Sequence, residues 1–274
     1  MPHLFRSVFH PTAFSGARDA FAHALRIALS ARGELRLLHV NAPGDAPRFD
    51  PFPRVRDTLA QWKLIDPAET EDEVTERLGL RVAKDLIWDA NARAGIVDTL
   101  QRTPADLLVL SLADRAGVPD LFQDSVAEEV ARAARIPSLC VRRGGGGFVS
   151  EETGEVTLRS ILIPVAPHIA CARAVDVVMS LCEQLGCDAP EIHLMRVGSA
   201  LEPPERAPPR ARFQLHAANG PVVEAILDLQ AKTGADLVCM PVNRSRGFVA
   251  AVRGKIAERV LRSAPCPTLL TPAD

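Results

Sequence analysis

The sequence predicts an α/β protein of two tandem domains, each with a five-stranded, mainly parallel sheet that carries helices on both faces. An internal repeat is the first observation, because residues 96–141 align with residues 226–271 without a gap at a constant offset of 130. The second is that Val-, Ile- and Leu-rich runs alternate with amphipathic segments, which is typical of buried parallel strands and their crossover helices. The third is the length of 274 residues, which suits two domains of ordinary size.

The first copy contains these strand and helix patterns in alternation. Ser15 is a candidate helix N-cap, and the apolar positions of residues 21–29 continue that helix until Gly33 ends it. Further helices are predicted at residues 66–78, which are highly charged, at a segment that ends near Arg102, and at residues 126–134. The predicted strands are residues 7–11, 35–40, 80–86, 107–111 and 138–141.

The second copy repeats this order element by element. The copies differ most between their second and third strands, where the offset falls from 157 to 130 and the first copy is therefore 27 residues longer. That extra length lies in an insertion at residues 41–78. The predicted strands of the second copy are residues 160–164, 191–197, 212–217, 237–241 and 268–271, and its helices are residues 174–185, 222–232 and 256–263.

A glycine-rich segment separates the two copies. Four consecutive glycines begin at Gly144 and have maximal backbone freedom, which favours a linker at residues 144–157. The predicted domains are then residues 1–143 and 158–274. The alternative is a phosphate-binding loop, but such a loop needs a helix directly after it, and no helix pattern follows the glycines.

Composition restricts the partners and the compartment. The formal net charge of −2 gives no global attraction to nucleic acid or to an anionic membrane, and two tryptophans without any tyrosine offer little for base stacking. No apolar run has the length of a spanning helix, and the N-terminal residues lack a signal-peptide pattern, so we expect a cytoplasmic protein without a membrane partner. The six cysteines lie mostly in apolar runs and are interpreted as small buried hydrophobes rather than disulfide, redox or metal-binding residues.

One block of the second copy carries a family resemblance. It comprises residues 235–240 (ADLVCM), Gly247, Gly254 followed by residues 256–260 (IAERV), and residues 263–267 (SAPCP). This block resembles the C-terminal signature of the universal stress protein family, and the first copy repeats it more loosely, so the resemblance covers nearly the whole chain. It implies a Rossmann-like doubly wound sheet in each domain and pairing of the two domains about a pseudo-twofold axis through their last strands. A homodimer and an unidentified regulatory protein are the further partners that we expect.

Many members of that family bind ATP, through an Asp after the first strand and a loop after the fourth. The loop reads Gly, two residues, Gly, nine residues, Gly and then Ser or Thr, and its glycines let backbone N–H groups approach the phosphates. In this chain the acidic position is Ala13 in the first copy and Ala166 in the second. The loop positions of the first copy are Ser111, Asp114, Asp124 and Ser125. Only Ser125 matches, and a capping box with Glu128 also explains it structurally.

The same loop is altered differently in the second copy, where its positions are Pro241, Arg244, Gly254 and Lys255. One glycine remains, an amine replaces the hydroxyl, and Pro241 lacks an N–H donor. Cationic side chains nevertheless cluster around a predicted helix start, where the helix dipole also favours an anion.

ATP or another phosphate anion is therefore the cofactor candidate, and the second domain is its candidate site. The candidate binding residues are Arg244, Arg246, Gly247, Gly254 and Lys255, with Ser125 as the remaining position of the first copy. The alternative is a solvated basic face, or a surface that pairs with the acidic loop of the first copy, Asp114, Asp120 and Asp124.

No catalytic site can be assembled from the sequence. Topology places His10 and His168 at the carboxyl edge of the sheets, but no nucleophile and base can be assigned around them. His39 and His193 lie inside predicted strands and are interpreted as hydrogen-bonded structural residues. We therefore expect a stress-response or regulatory binding module with a degraded ATP motif in both domains. The alternatives are an adenine-nucleotide-binding protein with weak ATPase or hydrolase-like activity in the second domain, and a purely structural pair of domains.

Overall fold

The structure, a computed structural model, describes residues 5–12, 18–47, 52–112, 129–131, 133–165, 171–198, 210–243 and 251–273, without the side chains of residues 251–255 and 273. The strands are β1 (Ser7–Pro11), β2 (Glu34–Asn41), β3 (Arg81–Trp88), β4 (Leu107–Leu112), β5 (Ser138–Arg142), β6 (Ser160–Pro164), β7 (Glu191–Val197), β8 (Arg212–Ala218), β9 (Leu237–Asn243) and β10 (Thr268–Ala273). The helices are α1 (Arg18–Ser30), α2 (Val55–Gln61), α3 (Glu71–Leu78), α4 (Ala92–Arg102), α5 (Ala172–Gln184), α6 (Val222–Thr233) and α7 (Ala251–Ser263). Residues 129–131 and 133–134 are also helical, within the segment where the sequence predicts a helix.

The strands form one ten-stranded sheet in the order β3-β2-β1-β4-β5-β10-β9-β6-β7-β8. Each half has the doubly wound order third, second, first, fourth, fifth, and every pairing within a half is parallel. The halves meet where β5 and β10 pair antiparallel, with Leu139 opposite Leu269. The predicted fold class is therefore confirmed, and the two halves pair through their last strands as the family resemblance implies.

Helices cover both faces of the sheet and bury two continuous core layers. The first face carries α1, α2, α3 and α5, and the second carries α4, α6 and α7. Successive residues of a strand point to opposite faces, so Leu37 enters the first layer and Leu38 the second. Both layers contain residues of both halves, which makes the seam between β5 and β10 part of the hydrophobic core rather than a surface contact.

A repeated aspartate fixes the start of the first strand in each half. Asp106 Oδ2 accepts hydrogen bonds from the backbone N–H groups of Arg6 and Ser7, both at 2.9 Å. Asp236 Oδ2 accepts the equivalent bonds from Arg159 at 2.8 Å and Ser160 at 2.9 Å. The tripeptide Ala-Asp-Leu, which occurs at residues 105–107 and again at residues 235–237, is thus a structural element, because its carboxylate joins the fourth strand of each half to the first.

The predicted end of α1 at Gly33 is confirmed. Gly33 N–H donates to Ala28 O at 3.0 Å, and a Cβ at this position would lie 2.1 Å from Arg6 O, so only glycine fits between the helix end and β1. The predicted N-cap, Ser15, lies outside the described residues, and the described helix begins at Arg18.

The insertion at residues 41–78 contributes two helices to the first core layer. The charged segment forms α3, which is shorter than predicted because Thr70 and Glu73 make a capping box one turn into it. The other helix, α2, was not predicted, and it buries Val55 and Leu59. Trp62, 5 % exposed, and Val74, 7 % exposed, pack in the same layer. The insertion therefore extends the core of the first half.

The segment predicted as a linker at residues 144–157 is packed against the first half. Val149 and Val156 form an antiparallel bridge, and the residues between them turn, so residues 148–157 are called the connector hairpin below. Phe148 is completely buried. Trp62 Nε1 donates to Glu151 O at 2.9 Å. The four glycines thus lead into an ordered element, while the domain bounds 1–143 and 158–274 stay a prediction.

Among the described residues, no helix is long and apolar enough to cross a membrane.

Candidate ligand-binding site

Open α/β sheets bind ligands beyond the carboxyl ends of the strands, at the point where the strand order reverses. That point lies between β1 and β4 in the first half and between β6 and β9 in the second. The strand ends at both points are described, whereas the segments that follow them, residues 13–17, 113–128, 166–170 and 244–250, are not.

Most of the predicted site residues belong to those segments. Ser125, Arg244, Arg246 and Gly247 lie outside the described residues, so their part in a site stays a prediction. Gly254 and Lys255 lie in the first turns of α7, because that helix begins at Ala251 and not at residue 256 as the sequence predicts. Both residues are therefore helical, and they do not belong to a loop in front of the helix.

The first half ends in a row of polar side chains at its carboxyl edge. In the strand registers Phe9 is opposite Leu108 and Pro11 is opposite Leu38. Continued by a few residues, these registers place Thr12 between Ser111 and His39, on neighbouring strands about 4.8 Å apart. By alternation all three side chains belong to the first face.

Several polar atoms of this edge are buried without a hydrogen-bond partner among the described residues. They are Ser111 Oγ, His39 Nδ1 and Asn41 Nδ2, and Asn41 and Ser111 are each 5 % exposed. Thr12 Oγ1 in contrast donates to Leu38 O at 3.2 Å. A buried donor or acceptor without a partner is destabilising, so these atoms need a hydrogen-bond partner beyond the described residues, from the protein or from a ligand.

His10 lies one step deeper on the same face and is neutral. Its Nδ1 donates to Val109 O at 2.9 Å, which leaves Nε2 as the acceptor of the neutral ring. Burial lowers the pKa of His10 to about 4, although the bond to Val109 raises it. A neutral imidazole with one nitrogen already engaged can accept a hydrogen bond but carries no charge at neutral pH.

The equivalent edge of the second half is less polar. The residues in place of Thr12, Ser111 and His10 are Val165, Pro241 and Ile163. The backbone is unchanged, because Val165 N–H donates to Met195 O at 2.7 Å just as Thr12 N–H donates to Leu38 O at 2.7 Å.

Pro241 and Arg196 give the second edge its chemistry. Pro241 is opposite Thr271 within the sheet and has no N–H to offer at the position where the ATP loop begins. Arg196 follows Met195 directly, which places its charge at the carboxyl edge of β7. The two edges therefore offer different chemistry, with hydroxyl, amide and imidazole groups in the first half and a guanidinium group in the second.

The histidines inside strands have different surroundings. His193 is hydrogen-bonded as predicted, with Nδ1 at 3.1 Å from His216 Nε2 and Nε2 at 3.2 Å from Ser160 Oγ. His39 differs, because its Nδ1 has no partner among the described residues. The sequence pattern does not identify Asn41 as a site residue, and the available signal is its position directly after the predicted strand at residues 35–40. Within the described part of the chain, no group of three or more His, Cys, Asp or Glu side chains could hold a metal ion.

Solved structures with the same fold cover almost the entire chain. A universal stress protein from Archaeoglobus fulgidus DSM 4304 matches with a TM-score of 0.63 and 14% identity, over 100% of this chain and 98% of that one. A functionally unknown protein from Pseudomonas aeruginosa PAO1 matches with a TM-score of 0.65 and 16% identity, over 98% and 93%. A putative universal stress protein from Pseudomonas aeruginosa UCBPP-PA14 matches with a TM-score of 0.62 and 17% identity, over 98% and 94%. At these sequence identities the structural similarity is evidence of the fold alone.

The sequence itself matches a family model. The model of the universal stress protein family matches residues 7–142 and 204–272, one segment in each half of the sheet. No curated protein sequence matches the chain significantly. The two family segments and the doubly wound order of both halves agree, and this chain belongs to the universal stress protein family.

Proposed function

We propose that this chain is a cytoplasmic regulatory binding module of the stress response, which acts through a protein partner and does not hydrolyse ATP. The observation that supports the proposal most is Pro241. This residue occupies a strand position beside β10 where a phosphate loop would begin with glycine, and it removes both the backbone freedom and the N–H donor.

The first half supports the same proposal by a different change. Ser111 replaces the loop glycine with a buried side chain, and the described groups around it include the hydroxyl of Thr12 and the amide of Asn41. Phosphate binding in this fold relies on backbone N–H groups and positive charge, whereas the described side chains Thr12, Asn41 and Ser111 at this edge carry no charge. A small, uncharged polar ligand suits these groups better than a nucleotide phosphate does.

A second candidate function is binding of ATP or another phosphate anion in the second half, with weak hydrolase-like activity. Arg196 favours it, because this cation lies at the carboxyl edge of β7, in the half whose sequence also contains the basic residues Arg244, Arg246 and Lys255. This candidate needs the basic residues to converge on one anion.

Thermal-shift titration with ATP, AMP and inorganic phosphate separates the two candidates. A ligand that binds only the folded protein raises its stability by about 2.7 kcal/mol when its concentration is about 100 times Kd. The binding-module proposal expects that none of the three ligands raises the melting temperature at millimolar concentration.

The variants Lys255→Ala and Arg196→Ala make the titration specific. Lys232→Ala is the matched control, because Lys232 lies in the last turn of α6, away from the carboxyl edge. An ATP-induced shift that both test variants lose and the control retains would overturn the proposal in favour of nucleotide binding. Hydrolysis of ATP by the wild type at a rate above that of the Lys255→Ala variant would also overturn the proposal.

A further inference from the structure

Two cysteines are brought together by the turn that ends α5. Cys187 N–H donates to Cys182 O at 2.8 Å, and Gly186 N–H donates to Glu183 O at 3.2 Å. Gly186 has a φ of 71°, in the left-handed region. These are the two hydrogen bonds and the glycine of a Schellman motif, in which the side chains three residues before the helix cap and two residues after it contact each other. In this helix those two side chains are Cys182 and Cys187.

The two thiols are hydrogen-bonded to each other and differ in their environments. Cys182 is fully buried in the first core layer, whereas Cys187 is half-buried. The hydrogen bond to Cys187, together with burial, raises the pKa of Cys182. The hydrogen bond from Cys182 lowers the pKa of Cys187. The negative charge of a thiolate is therefore favoured on the more accessible sulfur, with the second sulfur in contact.

We propose that Cys182 and Cys187 form a peroxide-reactive dithiol that closes to an intramolecular disulfide. The Cys187 thiolate attacks one oxygen of a hydroperoxide, the O–O bond breaks, and Cys187 becomes a sulfenic acid while the other oxygen leaves and takes up a proton as an alcohol or water. Cys182 then attacks the Cys187 sulfur. The S–S bond forms, the S–O bond breaks, and the hydroxide leaves as water with the proton of the Cys182 thiol. The two thiols together lose two electrons, which reduce one hydroperoxide.

Two other cysteines, Cys239 and Cys266, have surroundings that disfavour the same reaction. Burial raises the pKa of Cys239 to about 12, and its Sγ lies 4.0 Å from Thr271 Oγ1. Burial also raises the pKa of Cys266 to about 12. Because the thiolate is the nucleophile, these residues react slowly at neutral pH.

The position of the dithiol connects it to the contact between the halves. Gln184, which lies between the two cysteines in the chain, accepts a hydrogen bond from Phe5 N–H at 2.8 Å. Its amide nitrogen donates to Phe5 O at 3.2 Å and to Ile27 O at 2.8 Å. A disulfide across residues 182–187 would constrain the end of α5, which makes this contact with the first half.

The test is thiol counting on the full chain after treatment with stoichiometric hydrogen peroxide. The wild type, which has six free thiols, is expected to lose two and to regain both on treatment with dithiothreitol. Peptide mass spectrometry is expected to find Cys182 linked to Cys187. The Cys187→Ser variant is expected to keep all of its thiols. The Cys182→Ala variant is expected to accumulate a sulfenic acid at Cys187 that dimedone labels.

Cys171→Ser is the matched control, because Cys171 is also half-buried and lies at the opposite end of α5. This variant is expected to lose two thiols as the wild type does. If Cys182→Ala does not fold, thiol counting on Cys187→Ser still tests the proposal, because a half-buried side chain tolerates this substitution better than a fully buried one. The proposal is overturned if the wild type keeps its six thiols, if Cys187 is oxidised to a sulfinic acid without a disulfide, or if Cys187→Ser loses as many thiols as the wild type.

Discussion

Replacing Gly147 by alanine should release the connector hairpin from the first half. A Cβ at Gly147 would lie 2.2 Å from His23 Cε1 and 2.5 Å from His23 Nε2. The ring cannot move aside easily, because Nδ1 donates to Asp19 O at 2.7 Å and Nε2 accepts from Phe148 N–H at 3.1 Å and Val149 N–H at 3.3 Å. The rings of His23 and Phe148 also pack in a T-shaped arrangement, with ring centroids 4.5 Å apart.

The expected loss of stability follows from these contacts. Overpacking a well-packed site costs about 1–3 kcal/mol. Each hydrogen bond lost from His23 Nε2 adds about 0.5–1.5 kcal/mol. Part of each contribution is relieved by relaxation, so the free energy of unfolding should fall by about 3 kcal/mol. Urea unfolding followed by circular dichroism measures this difference.

A double-mutant cycle isolates the contact. In a His23→Ala background the ring is gone, so Gly147→Ala should cost less than about 1 kcal/mol. Gly146→Ala is the control, because a Cβ there meets nothing within 4 Å and only the φ of 73° opposes it. Its cost should be about 1 kcal/mol. Equal costs of Gly147→Ala in both backgrounds, or a cost no larger than that of Gly146→Ala, would refute the close packing of the connector hairpin.

Three further predictions concern charge and hydrogen bonding. Burial lowers the pKa of His10 and His23 from 6.5 to about 4. Between those values the unfolded chain binds protons that the folded protein does not, so the free energy of unfolding should fall as pH decreases from 6.5 to 4, by up to about 3 kcal/mol for each residue. Urea unfolding at pH 7 and 4.5 checks this, and a His23→Phe variant with the same pH dependence as wild type would contradict it. Gln184→Ala should lower stability by about 2–3 kcal/mol because it leaves the polar groups of the first half at this contact unpaired, and a loss below about 0.5 kcal/mol would argue against that contact. Asp106→Ala and Asp236→Ala should each cost about 1.5–3 kcal/mol in the same assay, with partial recovery by Asn, and an effect at one site alone would contradict their equivalence.

The strands were predictable because their chemistry is local. A parallel strand covered on both faces is a continuous apolar run, and β1, β6 and β7 begin and end at the predicted residues. The internal repeat then predicts two halves, and the family resemblance predicts that they pair through their last strands. No local sequence pattern predicts the pairing of β5 with β10, since an apolar strand can lie at the edge of a sheet or at its centre.

The elements that were missed depend on contacts between distant residues. Only Val55 and Leu59 of α2 are buried, which is too short a pattern to distinguish from a loop. The order of the connector hairpin rests on His23, more than a hundred residues away in the chain. At the candidate site, the types of Ser111 and Pro241 were readable from the sequence. The absence of hydrogen-bond partners for Ser111 Oγ and Asn41 Nδ2 among the described residues required the fold.

The antiparallel seam has a consequence for how the two halves can influence each other. Strand direction reverses between β5 and β10, so the carboxyl edges of the halves open at opposite ends of the sheet. Ligands bound at the two edges would not touch, and any coupling between them must pass through the shared core. Since one chain supplies both strands, the seam forms at an effective concentration set by the connector and is independent of how much protein the cell contains. The two edges have therefore been free to diverge without losing the partner that each half needs for its last strand.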